Sequence, residues 1–207
     1  MLVVRGAGSQ IAKAIVPLLP AGEHVYVSHR HVRVPTTAER YLFCDGLLIG
    51  KRLEDQTDDE TAETMFANYY GVRDQCDRVI AQNDDARIAV IGSESAFAGS
   101  YDEAYAEAKR ALHTYVETKQ LRTPQQQLVC VAPSIIQDCA MTTRRTDVDN
   151  LECRRREHPK RRFLQASEVA KLVHFLLYVD KGYLSGVVLR MNGGAHTQRI
   201  QREALAA

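Results

Sequence analysis

Leu2-Val3-Val4-Arg5-Gly6-Ala7-Gly8-Ser9-Gln10-Ile11-Ala12 decides the architecture. Three apolar residues at strand spacing run directly into a glycine turn and then into a helical period. The helix predicted over Ile11 to Leu19 stops at Pro20-Ala21-Gly22. A strand feeding a helix through a short turn is the repeating unit of a parallel α/β sheet. Outward from this unit the alternation continues, with strands at Val25 to Ser28, Tyr41 to Cys44, Arg87 to Ile91, Leu128 to Val131 and Val187 to Arg190. Helical patterns fall at Asp58 to Gln82, Tyr101 to Leu121 and Ser167 to Val179. The expectation is a doubly wound parallel α/β sheet of about six strands and four main helices. Between Arg30 and Tyr41 the connection is short and contains Pro35, so no helix is expected there.

The chain has 207 residues, the size of a single domain spanning 1–207. With 27 Lys and Arg against 26 Asp and Glu, the formal charge is +1, and nothing global points to a nucleic-acid surface. No apolar run approaches the roughly 20 residues that cross a bilayer. Arg5 and Gly6 interrupt the first apolar residues before any leader pattern develops, which predicts a cytoplasmic protein with no membrane partner. Five cysteines and seven scattered histidines lack the spacing of zinc ligands, so no metal is expected.

The turn Gly6, Gly8, Ser9, Gln10 and Ile11 is suited to present backbone N–H groups to a pyrophosphate at a helix N-terminus. Gln10 and Ala12 stand where a dinucleotide fingerprint usually has glycine or another very small residue, so a ligand-free glycine turn is the competing reading. The second strand ends in Ser28-His29-Arg30 without an acid to bind a ribose 2′-hydroxyl. An arginine there suits a 2′-phosphate, which favours NADP(H) over NAD(H); an exposed strand-end arginine is the plainer alternative.

Tyr105-Ala106-Glu107-Ala108-Lys109 puts a phenol and an ammonium one helical turn apart on one face. A free tyrosine titrates at ~10, and a nearby ammonium lowers that value, making the pair a usable general acid and base. Chance alone often produces this spacing on a solvated helix. Ser93, however, follows the strand ending at Ile91 and so falls at the carboxyl edge where open α/β sheets bind ligands. Asn68, in Phe66-Ala67-Asn68-Tyr69-Tyr70-Gly71, is a poor helix former inside a core-facing helix and requires a hydrogen-bonding partner.

In order, these residues resemble the short-chain dehydrogenase/reductase superfamily over nearly the whole chain, as a shortened and divergent member. The likeness includes the Gly6 turn, Asp45-Gly46 where the family has Asn-Asn-Ala-Gly, Asn68, Ser93, Tyr105 and Lys109. It continues through Val131-Ala132-Pro133-Ser134, Met141-Thr142, Ser167-Glu168-Val169-Ala170, Tyr183-Leu184-Ser185-Gly186 and Asn192-Gly193-Gly194. The resemblance implies a Rossmann-like domain and a catalytic group of Asn68, Ser93, Tyr105 and Lys109. Tyr105 would exchange the proton, and Ser93 would orient the substrate oxygen. Lys109 would acidify the tyrosine and hold the nicotinamide ribose, and Asn68 would hold a relay water. The implied cofactor contacts are Gly6, Gly8, Ser9, Gln10, Ile11, His29, Arg30, Asp45, Gly46, Tyr105, Lys109, Pro133, Ile135 and Thr142. Ser95 competes for the serine role; Ser93, twelve residues before Tyr105, is nearer the family spacing.

Relatives carry a further strand-helix unit between Arg30 and Tyr41, absent here. If the flanking strands sit on either side of the first, the link crosses two spacings of ~4.8 Å and runs back roughly 17 Å. Ten residues extend to about 33 Å, so the shortcut is feasible. The deletion removes cover from the adenine ring and predicts weaker cofactor binding. From Arg144 to Arg162, eight basic residues face four acidic ones in what the resemblance makes a substrate lid over 142–162, suited to a substrate with an anionic handle or, equally, to a solvated loop. The implied activity is NADP(H)-dependent interconversion of a carbonyl and a hydroxyl on a small organic substrate by a homodimer or homotetramer. The alternative is a catalytically silent Rossmann-like nucleotide-binding or regulatory subunit.

Overall fold

The computed structural model describes residues 1–195; His196 and the end of the predicted 1–207 domain lie outside the described residues. Strands β1 (Leu2–Arg5), β2 (Val25–Ser28), β3 (Arg40–Phe43), β4 (Arg87–Ile91), β5 (Gln127–Pro133) and β6 (Val187–Met191) form one parallel sheet in the order β2-β1-β3-β4-β5-β6. Leu2 pairs with Val25 on one side and Arg40 on the other, so β2 and β3 flank β1 as the shortcut requires. Parallel strands covered on both faces read as continuous apolar runs, which is why the strand pattern was visible in the sequence.

Successive strand residues point to opposite faces and build two cores. Leu2, Val4, Leu42, Ala89, Val129 and Val131 pack against α1 (Gln10–Ile15) and α8 (Ala166–His174). Val3, Tyr41, Phe43, Ile88, Val90 and Leu128 pack against α3 (Gly71–Gln82) and α5 (Glu103–Thr118). The 31–40 shortcut has no helix and is tied down by side chains of α3 and the residue after it. Gln75 Oε1 accepts from the Val34 N–H at 3.1 Å, and Asn83 Nδ2 donates to the Thr36 and Ala38 carbonyls at 2.8 and 2.6 Å. With the extra unit missing, β2 is left as an edge strand, and Tyr26 and Val27 are exposed.

Several boundaries differ from expectation. The first helix ends at Ile15, and Val16–Leu18 tightens into a 3₁₀ turn around Pro17. The helix expected from Tyr101 begins at Glu103, capped by Asp102. The expected helix Asp58 to Gln82 is α2 (Asp58–Met65) and α3 joined by a π-turn at Phe66–Tyr70, a wider turn often found at functional sites. The excursion contains α6 (Ala140–Thr143) and α7 (Val148–Glu157), and neither has a buried residue. Arg145, Arg155 and Arg162 pair with Asp147, Glu152 and Glu168, which offsets part of its positive charge. Among the described residues no helix is long and apolar enough to cross a membrane, and no group of three or more His, Cys, Asp or Glu could hold a metal ion.

Candidate active site

Helix α5 carries the centre of the site, and Asp102 fixes where it starts. Its buried carboxylate accepts from the Tyr105 N–H at 3.0 Å, as a helix N-cap does. It also accepts from the Ile49 and Gly50 N–H groups and from Gln56 Nε2, each at 3.0 Å. One carboxylate thus joins α5 to the loop after β3. The sequence reading passed over Asp102; the signal was an Asp directly before a Glu-Ala helical start.

The structure brings Tyr105 and Ser93 together: their side chains are near enough to interact, and both are buried. Ser93 Oγ also accepts from the Ser95 N–H at 3.1 Å, while Ser95 itself opens the short helix α4 (Ser95–Ala98). Lys109, only 2% exposed, lies one turn beyond Tyr105 and donates to the carbonyls of Ile91 at 2.9 Å and Asp45 at 3.3 Å. Ile91 is the last residue of β4 and Asp45 lies two residues past β3, so the ammonium stands at the carboxyl edge of the sheet.

The electrostatics correct one expectation. Burial pushes the Tyr105 hydroxyl above its usual value, and the Ser93 side chain opposes this only in part. Lys109 is itself brought down to about 8 by burial. The expected acidification of the phenol fails because solvent exclusion penalises phenolate, while the ammonium is aimed at carbonyls.

Asn68 is fully buried at the π-turn. Its Nδ2 donates to Leu47 O at 2.8 Å and Thr64 O at 2.9 Å, and its Oδ1 accepts from the Leu47 N–H at 3.3 Å. The amide assigned to a relay water therefore clasps the loop after β3, because a buried amide takes the nearest backbone partners.

In the glycine turn, Gly6 has φ +92°, and a Cβ there would lie 2.7 Å from the Cys44 backbone carbon. Only glycine lets the turn sit this close to the end of β3. Gly8 faces open space, and Ser9 caps α1 by accepting from the Ile11 N–H at 3.2 Å. The Gln10 backbone N–H meets the Cys139 thiol. His29 is exposed. Arg30 pairs with Glu63 at 3.1 Å, and His31 stacks on Phe66 beside it. Asp45 is buried against Arg5 at 3.4 Å, within ion-pair range, yet neither of its carboxylate oxygens has a hydrogen-bond partner. The Met141 side chain closes over Gly46, whose Cβ would meet it at 2.9 Å. Pro133 O accepts from the Glu94 N–H at 2.9 Å, Ile135 O from the Leu164 N–H at 3.1 Å, and the Thr142 N–H donates to Cys139 O at 2.9 Å.

A family model described as enoyl-(acyl carrier protein) reductase, of the short-chain dehydrogenase/reductase type, matches residues 43–196. The chain belongs to the short-chain dehydrogenase/reductase family. Solved members of this family share the fold. A glucose/ribitol-type dehydrogenase from Brucella melitensis is 19% identical with a TM-score of 0.81, over 95% of this chain and 96% of that one. A short-chain dehydrogenase family protein from Francisella tularensis is 18% identical with a TM-score of 0.77, over 95% and 98%. A Tyr-to-Phe variant of ElxO with NADPH bound is 16% identical with a TM-score of 0.76, over 95% and 98%. No curated protein matches the chain.

The residues present fit the nicotinamide dinucleotide that short-chain dehydrogenases bind. A Cβ at Gly8 would meet no heavy atom within 4 Å, Gly6 makes the tight turn, and a buried ammonium stands at the sheet edge, which are groups that a phosphate-linked, hydroxyl-bearing ligand would use. The turn and the end of β2 are contiguous, since the Gly6 and Ala7 N–H groups donate to Ser28 O at 3.0 and 3.3 Å.

Proposed function

We propose that this short-chain dehydrogenase/reductase is an NADP(H)-dependent oxidoreductase interconverting a carbonyl and a hydroxyl on a small organic substrate. The observation that carries the reading is the buried hydroxyl pair of Tyr105 and Ser93 with Lys109 one turn behind it at the sheet edge. When bound, the nicotinamide supplies or accepts the hydride. In reduction, the Tyr105 O–H gives its proton to the substrate oxygen while Ser93 donates a hydrogen bond to the same oxygen and fixes its direction. Lys109, now on the Asp45 and Ile91 carbonyls, would hold the ribose hydroxyls when the cofactor is bound, and its charge would offset part of the burial penalty on the phenolate. Gly6, Gly8, Ser9, Gln10 and Ile11 would line the phosphates; Asp45, Gly46, Pro133, Ile135 and Thr142 would line the nicotinamide half. His29 and Arg30 border the adenosine ribose.

Arg30 supports NADP(H) over NAD(H), with the 2′-phosphate displacing Glu63 as its anionic partner. The unpaired remainder of the basic excursion supports a substrate with an anionic handle. The α3 and α5 faces, with a recess of about 620 Å³ lined by Tyr69, Arg73, Asp77, Arg110, Tyr115 and Lys119, support a homodimer or homotetramer. A second reading, a silent nucleotide-binding or regulatory subunit, is favoured by the engagement of Lys109 with carbonyls and of Arg30 with Glu63.

The deciding experiment titrates intrinsic fluorescence with NADPH and NADH and then follows NADPH oxidation at 340 nm with a panel of aldehydes and ketones. Saturable NADPH binding with turnover supports the enzyme. Saturable binding without turnover, or no saturable binding of either cofactor, supports the silent subunit and overturns the oxidoreductase.

A further inference from the structure

The Tyr105 and Lys109 stripe of α5 continues one turn further to His113, which the family reading leaves without a role. His113 is 4% exposed, and its Nε2 lies 3.3 Å from the Ser93 backbone nitrogen. A backbone N–H only donates, so Nε2 carries the lone pair and the imidazole is neutral with its proton on Nδ1. Three residues at successive turns therefore grip the serine loop from one side: Lys109 at Ile91 O, His113 at the Ser93 N–H and Tyr105 at the Ser93 side chain.

The loop is shaped around this ring. At Gly92 a Cβ would lie 2.2 Å from His113 Nε2 and 2.6 Å from Cys130 Sγ, far inside contact distance. Glycine is needed there because the imidazole occupies the side-chain space. From the open side Phe97 lies against His113 with ring centroids 5.0 Å apart, and the Arg190 guanidinium covers Phe97 at 4.2 Å. Arg190 is held in turn by Glu94, which also accepts from Asn192 Nδ2 at 3.1 Å. Glu94 is the neighbour of Ser93, so the chain of contacts closes on the loop it started from.

We propose that His113 is a positioning residue that aims Ser93, with Phe97 and Arg190 as the lid that keeps its ring in place. This rests on the oxidoreductase reading, because it assigns a task to the substrate-orienting serine. A hydroxyl that orients a reacting oxygen must be held within a fraction of an ångström, and a misplacement of ~1 Å costs about 100-fold in rate. The flanking Gly92 and Glu94 N–H groups donate to Val131 O and Pro133 O at 2.8 and 2.9 Å, so the Ser93 N–H between them faces away from β5, and His113 is its partner there.

The test compares wild type with His113→Ala, His113→Gln and Phe97→Leu in ¹⁵N-labelled protein. The last replaces a half-exposed side chain and keeps the variant set informative should His113→Ala fail to fold. NADPH affinity is read by fluorescence, reduction of 9,10-phenanthrenequinone by absorbance, and the Ser93 amide by its NMR shift and exchange rate. Expected are cofactor affinities within about twofold throughout and a kcat loss of roughly 10- to 100-fold in His113→Ala, with KM changed much less. His113→Gln recovers most of that loss, since its amide oxygen accepts from the same N–H, and Phe97→Leu falls between. A Ser93 amide that exchanges freely in wild type, or a folded His113→Ala or Phe97→Leu with unchanged kcat and unmoved Ser93 amide, overturns the proposal. Wild type that binds no dinucleotide instead overturns the oxidoreductase reading, while the amide measurement still decides whether His113 holds Ser93.

Discussion

Lys109 Nζ stands 5.8 Å from the centre of the Tyr105 ring while donating to two backbone carbonyls. The two side chains share a stripe and a cleft without forming a hydrogen-bonded pair. An ammonium at this distance acts on the phenol through space, and its influence depends on its charge and on what else is in the cleft.

Tyr105→Phe removes the transferable proton and little volume. Its kcat falls by roughly 10²- to 10⁴-fold, the usual worth of a positioned acid or base, while NADPH affinity stays within about threefold. Steady-state kinetics beside a fluorescence titration check both halves. Full activity in the mutant takes tyrosine out of the mechanism.

Lys109 sets an alkaline limit to cofactor binding. With its ammonium brought down to about 8 by burial, NADPH affinity falls as pH rises through that value. Stability moves the other way. Between about 8 and 10.5 the unfolded lysine still binds a proton that the folded one has released, so stability rises with pH, by on the order of 3 kcal/mol in full. Urea unfolding of wild type against Lys109→Met, from pH 7 to 10.5, isolates this contribution. A difference between the two proteins that is flat with pH is the contrary result.

Arg30→Ala weakens NADPH more than NADH, by about 1 to 2 kcal/mol of lost charge-assisted hydrogen bonding. Glu63→Gln, which frees Arg30 from its present partner, tightens NADPH. Calorimetric titration of both cofactors reads this directly; equal losses for the two in Arg30→Ala argue against a 2′-phosphate contact.

Arg5 and Asp45 form a buried pair in which burial pulls the guanidinium down and pushes the carboxyl up, so desolvation outweighs their attraction. Breaking it costs more than removing it. Asp45→Asn leaves a buried uncompensated cation and destabilises by about 3 to 5 kcal/mol, whereas Arg5→Met with Asp45→Leu costs less than that single change. Denaturant unfolding of the set decides, and simple additivity would falsify the coupling.

The strand-turn-helix opening, the six short apolar runs and the Tyr105 to Lys109 spacing were legible because each is a local pattern with a fixed period. The 31–40 link is long enough for β2 and β3 to lie on either side of β1, as the family likeness implies, and the pairing of Leu2 with both strands agrees. The π-turn at Asn68 was not legible, because its period differs from that of an α-helix by one residue in a single turn.

The chain by itself determined the α/β alternation and the identities of the groups that gather at the sheet's carboxyl edge. Only the tertiary structure decided that burial makes Tyr105 a weaker acid than an ordinary phenol, that the Asn68 amide is used by a loop, and that Asp102 and His113 brace the site. Solvent exclusion and hydrogen-bond partnership arise where segments distant in the chain meet, so no reading of neighbours along the backbone contains them.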